Sequence, residues 1–122
     1  MDKILFRAKE KKNNTWIYGL YIQKGDMHLI LPKGQYRSKK IHLYTLGQYV
    51  TTDPYGCDVY EGDILQIDNE YLAMVNFDDE RRGFALDSTT LNEPFEDNIT
   101  EFFVVGNKYD NPELVKEIER GK

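Results

Sequence analysis

Four carboxylates, three glycines and the chain's single cysteine fall within the twenty residues "LGQYVTTDPYGCDVYEGDIL", Leu46–Leu65. Asp53, Asp58, Glu61 and Asp63 offer the oxygen ligands that a hard cation takes. A calcium loop, however, sets its ligands at alternate positions, with a glycine at the sharp turn and a closing bidentate Glu. Here successive acids stand five, three and two residues apart, and no alignment of the stretch satisfies that pattern. Turn chemistry accounts for the same residues one by one. "DPYG" fits a β-turn with Pro54 second and Gly56 fourth, and "EGD" a second turn entering a strand. The turn reading is preferred, and the ion site stands as its sharper alternative.

Cys57 is a possible nucleophile, with His28 and His42 as possible bases that meet it only in the fold. Its neighbours are acidic, and negative charge raises a thiol pKa and blunts its reactivity. Neither histidine has a metal-ligand spacing such as H-E-x-x-H, so both are expected as ordinary strand residues. Gly19, Gly25 and Gly34 are isolated, and no G-x-x-x-x-G-K-[ST] phosphate loop is present. These residues imply no cofactor, no metal and no catalytic centre.

The elements that position these groups follow from patterning. At 122 residues the chain is expected to form one domain, 1–122, able to bury its own core. One cysteine excludes an internal disulfide framework. The start "MDKILFRAKEKK" has no apolar signal core, so a cytoplasmic location in a bacterial host, away from membranes, is expected. "ILFRAKEK" and "TWIYGLYI" predict strands, and "QKGD" predicts a tight turn into a third, "MHLILP". An exposed basic loop "YRSKK" follows, then a short strand "IHLY". "DILQID", "EYLAMVNF", "GFALD" and "EFFVVGNKY" predict further strands, with a bulge at Gly106 and a loop over Ser88–Asn98. Asn111 as cap, Pro112 at the first helical position and Leu114 and Ile118 four apart predict a terminal helix ending at Gly121. The expected fold is mainly β with a minor α+β character: a small barrel-like or strongly curved antiparallel sheet with a short C-terminal helix.

Charge divides the chain unevenly. Met1–Thr45 holds ten Lys and Arg against three acids, a formal +7, and Leu46–Lys122 holds six against eighteen, −12. Either two halves interleave in one β fold or the surface is bipolar. Two binding readings follow. The charged tip "DDERR", Asp78, Asp79, Glu80, Arg81 and Arg82, is a candidate for docking a protein partner. With Glu93, Glu96, Asp97 and Glu101 it also offers an acidic surface resembling a phosphate backbone. The alternative is a nucleic-acid surface in the basic half, with Trp16 and Tyr18 stacking on bases and Lys33, Arg37, Lys39 and Lys40 meeting phosphates. Against it, Trp16, Tyr18 and Leu20 share strand parity, which a packed face explains more simply.

Three segments, "ILFRAKEKKNNTWIYG", "LGQYVTTDPYGCDVYEGDIL" and "FVVGNKYDNPEL", resemble the YopX family of bacteriophage and prophage proteins in order and spacing. Gly47, Gln48, Tyr49, Tyr60, Glu61, Gly62 and Asp63 correspond to its central signature. Gly106, Asn107, Tyr109, Asn111 and Pro112 correspond to its terminal one. The chain departs at "VTTDPYGCD", where the family more often carries a loop with Gly and Lys. The resemblance implies a small, mainly β phage or prophage protein that self-associates as a homo-oligomer, and it implies no activity. Taken together, these features predict a non-enzymatic binding protein that engages a host protein, with counter-defence inhibition its most specific form. A nucleic-acid-binding accessory module is the alternative.

Overall fold

The computed structural model describes residues 5–80, 82–87, 92–94 and 101–120, with 92–94 described in backbone only. The chain divides into two compact units, Met1–Tyr49 and Val50–Lys122. The division falls beside the boundary between the basic and acidic halves, and residues 46–49 carry no charge, so each unit keeps its own sign.

In the first unit, β1 (Phe6–Lys9), β2 (Trp16–Lys24), β3 (Met27–Pro32) and the two-residue β4 (Lys39–Lys40) lie antiparallel in the order β4–β3–β2–β1. The first half of β5 (Gly47–Thr52) adds to β1, with Arg7 opposite Gly47. The β2–β3 hairpin closes on Gly25 and Asp26, Gly25 at φ +59, as its sequence predicts. Alternation sends Ala8 and Ile30 to one face, where they pack with Ile41, Phe6, Ile17, Tyr21 and Leu46. Full burial of Ile30 contributes roughly 1.5–3 kcal/mol. Trp16, Tyr18 and Leu20 have the opposite parity. They share a face, as expected, but it is the outward one, with Tyr18 44% and Leu20 50% exposed.

"IHLY" is not a strand. Ile41 makes only an isolated bridge to Glu10, and Leu43–Thr45 is one turn of 3₁₀ helix. Thr45 explains the turn: its Oγ donates to the His42 carbonyl at 2.6 Å and accepts from the Lys9 N–H at 2.8 Å. The local hydroxyl bond outweighs the alternating pattern.

In the second unit the rest of β5 runs into the "DPYG" turn and returns as β6 (Asp58–Tyr60). β7 (Asp63–Ile67), β8 (Tyr71–Asp78) and β9 (Gly83–Asp87), each predicted as a strand, pair as a meander. β10 (Asn92–Pro94) joins β9, within the segment expected as a loop, and β11 (Phe102–Asn107) joins β7, giving the order β10–β9–β8–β7–β11. Leu65, Ile67, Ala73, Val75 and Leu86 share one buried face with Val59 and Phe102. The helix α1 (Pro112–Arg120) packs against β8 and β11. Ile64, on the other parity, is fully buried too, and its pair Gly106 lies under Leu114. Cover on both faces explains why "DILQID" lacks a clean polar side.

The expected barrel-like or strongly curved sheet is corrected. Both sheets are open and not strongly curled: the six-stranded one ends at β4 and β6, the five-stranded one at β10 and β11. Closure requires first and last strands to pair with consistent tilt and stagger. Here the edges are instead blunted, β4, β6 and β10 being two or three residues long and β10 ending in Pro94. The fold is mixed α+β, two antiparallel sheets with one C-terminal helix. Among the described residues no helix is long and apolar enough to cross a membrane.

Candidate functional site

The carboxylates of the Leu46–Leu65 stretch serve the backbone. Asp53 is 4% exposed, and its Oδ1 accepts the N–H groups of Tyr55 and Cys57, both at 2.9 Å. Its Oδ2 accepts the Val104 N–H at 3.3 Å, tying the turn to β11. Asp58 accepts the Thr52 hydroxyl at 3.0 Å, and buried Asp63 accepts the Tyr60 N–H at 2.8 Å. Cys57 is exposed in the turn. Tyr55 donates to Glu101 at 2.7 Å, and this bond and the carboxylate charge raise its phenol above the ordinary value near 10. Among the described residues no group of three His, Cys, Asp or Glu is placed to hold a metal.

The histidines are likewise engaged within the first unit. His28 Nδ1 lies 2.6 Å from the Tyr21 hydroxyl with the rings stacked, and the His42 ring lies against Tyr44.

The two signature segments converge on one corner of the second unit. Gly62, at φ +95, donates to the Val75 carbonyl at 2.7 Å and accepts from the Lys108 N–H at 3.0 Å. The β6–β7 turn is thereby clamped between β8 and the β11–α1 connection. Asn107 Oδ1 accepts the N–H groups of Tyr109 and Asp110, both at 2.9 Å. Asn111 Oδ1, expected at the helix cap, turns back to the Asn107 N–H at 3.1 Å. A Cβ at Gly106 would stand 2.5 Å from that oxygen, so the register shift there serves as a seat for the side chain.

Glu61, next to Gly62, is half-buried at the edge of this framework. It lines a cleft of about 500 Å³ together with Asp78, Asp79, Glu80 and Asp87, and with Asn76, Phe77 and Ala85. The register puts Asn76 opposite Ala85 and Asp78 opposite Gly83, on the sheet face that carries α1 further along. Asp78 Oδ1 accepts the Glu80 N–H at 3.0 Å and its carbonyl the Arg82 N–H at 2.8 Å, shaping the tip. Phe77 is 47% exposed and meets Phe84 edge to face. Five carboxylates around one concavity make a negative potential suited to a cation-bearing ligand.

Of the five tip residues predicted from sequence, Asp78, Asp79 and Glu80 line this cleft. Arg82 is exposed at φ +58 beside it, and Arg81 lies outside the described residues, as do the side chains of Glu93, Glu96 and Asp97. Asp87 was missed, although period-two alternation from Asp78 across the hairpin points to it. Glu61 was missed because it lies just before β7, where the β7–β8 register and the Gly62–Val75 bond bring its turn beside β8.

The residues of the alternative reading lie in the first unit. Trp16 and Tyr18 share a face with Lys40, whose register partner is Leu29, whereas Lys39 pairs with Ile30 and has the core-facing parity. Lys33 and Arg37 are exposed in the β3–β4 loop. Arg7 and Lys9 stand over the Trp16 ring, 4.5 and 5.4 Å from its centroid.

No curated protein matches the chain. The family model described as YopX protein matches residues 5–116, and the chain belongs to that family, a family of bacteriophage and prophage proteins.

Proposed function

We propose that the protein is a non-enzymatic binding protein that engages a basic segment of a host protein through the acidic cleft of its second unit. The observation that carries this reading is the convergence of Glu61, Asp78, Asp79, Glu80 and Asp87 around one concavity. The groups that suggested chemistry support it from the other side. Asp53 and Asp63 are committed to backbone N–H groups, and His28 to Tyr21. A cleft of this kind recognises Lys and Arg side chains by charge-assisted hydrogen bonds. Occupying the basic surface of a host defence component is the most specific form of the function, inside the bacterial cell.

Affinity capture from host lysate tests it, with wild type compared against an Asp79→Asn/Asp87→Asn variant. A host protein retained by wild type, released by salt and lost with the variant is expected. Equal retention by both proteins overturns the cleft as the contact surface.

A further inference from the structure

The outward face of the first unit's sheet has no role in the acidic cleft, and its composition is unlike a solvated face. Tyr18, Leu20 and Met27 are 44%, 50% and 42% exposed there, side by side on one sheet face. The strand register assigns cations to the same face: Lys9 opposite Trp16, Lys24 opposite Met27 and Lys40 opposite Leu29, with Arg7, opposite Tyr18, buried against the Trp16 ring. No carboxylate shares that parity on β1–β4. The β3–β4 loop, leaving from the Leu31 end, adds exposed Lys33, Tyr36 and Arg37. The unit carries a formal +7.

Aromatic rings on an open sheet face, alternating with cations, fit a polymer with π faces at regular intervals and one negative charge per unit. Same-face residues along a strand recur at about 7 Å, so Trp16, Tyr18 and Leu20 form a row rather than a pocket. Trp16 is already held by Arg7 and Lys9, which fixes the ring at one end of the row. A basic peptide is disfavoured on this face by charge, and an acidic peptide does not place a flat ring beside each negative charge.

We infer that the outward face of β1–β4 binds single-stranded nucleic acid, with Tyr18 stacking on a base and Lys9, Lys24 and Lys40 meeting phosphates. The inference rests on the first unit alone and is independent of the cleft.

Trp16 is the chain's one tryptophan, so its fluorescence reports the face directly. The protein is titrated with a single-stranded oligothymidylate of about 12 nucleotides, and with a duplex, at several salt concentrations. A saturable signal is expected for the single strand, with log affinity falling against log salt by about 0.7 per phosphate met. Tyr18→Ala weakens binding about 5- to 150-fold at unchanged melting temperature. Lys24→Glu and Lys40→Glu each lower the salt slope, while Glu61→Gln changes neither. The proposal is overturned by no saturable change at low salt, by equal binding of the duplex, or by a Tyr18→Ala affinity equal to wild type. It is also overturned if light scattering shows self-association that Tyr18→Ala abolishes, which makes the face a contact between copies.

Discussion

Asp53→Ala removes the acceptor for three backbone N–H groups at once. Two of the bonds, to Tyr55 and Cys57, are 2.9 Å, and the third, to Val104, is 3.3 Å. A hydrogen bond to a charged acceptor contributes about 1.5–3 kcal/mol net. Tyr55 and Cys57 are exposed, so water replaces the carboxylate there and their share lies at the low end. Val104 is half-buried, and its N–H is left poorly hydrated. The expected loss is about 2–4 kcal/mol, or roughly 6–20 °C in melting temperature for a chain of this size. Asp53→Asn keeps one side-chain oxygen, and about half that loss is expected. Urea unfolding gives the free energy, and amide hydrogen exchange locates it: Val104, Tyr55 and Cys57 lose protection while β2 and β3 keep theirs. Asp53→Ala melting with wild type, or an unchanged Val104 amide, refutes the structural assignment and returns the carboxylate to the pool of candidate ligands.

Asp63→Ala is expected to cost about 1.5–3 kcal/mol, since a buried carboxylate holds the Tyr60 N–H, whereas Glu61→Gln stays within about 0.5 kcal/mol. Paired thermal melts separate the framework member of the signature from the cleft member. Gly106→Ala drives a methyl against Asn111 Oδ1 and Leu114, with an expected loss of about 1–3 kcal/mol. Asn111→Ala in the same chain relieves part of that clash, so a double-mutant cycle shows coupling, and strict additivity contradicts the contact. The Tyr55 phenol titrates above its ordinary value, held neutral chiefly by its hydrogen bond to Glu101. Its contribution to stability is full below the unfolded value near 10 and is lost as pH rises toward the folded one. Ultraviolet titration checks this, with Glu101→Gln expected to move the phenol back down.

Local patterns made much of the fold legible. The hairpin at Gly25, the strands β7, β8 and β9 and the helix starting at Pro112 each follow from neighbouring residues, and each is present. The bulge at Gly106 was also legible, because a lone glycine inside a strand marks a close approach. Partition into two open sheets was not, since alternation states which residues share a face but not which strands pair at the edges. "IHLY" failed for a related reason: the Thr45 hydroxyl bonds are specific to the fold and outweigh a four-residue alternation. The tip carboxylates were visible as a charge run, yet the cleft needed Glu61, brought in by the register of β7 on β8, which alternation within one strand does not state.

In the proposed function a host protein seats a basic segment in the cleft of the second unit. Replacing Asn76, which stands opposite Ala85 on the face of the cleft, with a photo-crosslinking phenylalanine analogue and irradiating in host cells is the direct test. One dominant crosslinked host protein is expected, joined through a Lys- or Arg-rich segment and lost when Asp79→Asn and Asp87→Asn are added. A partner that crosslinks from the same analogue at Tyr18 and not at Asn76 contradicts the proposed function.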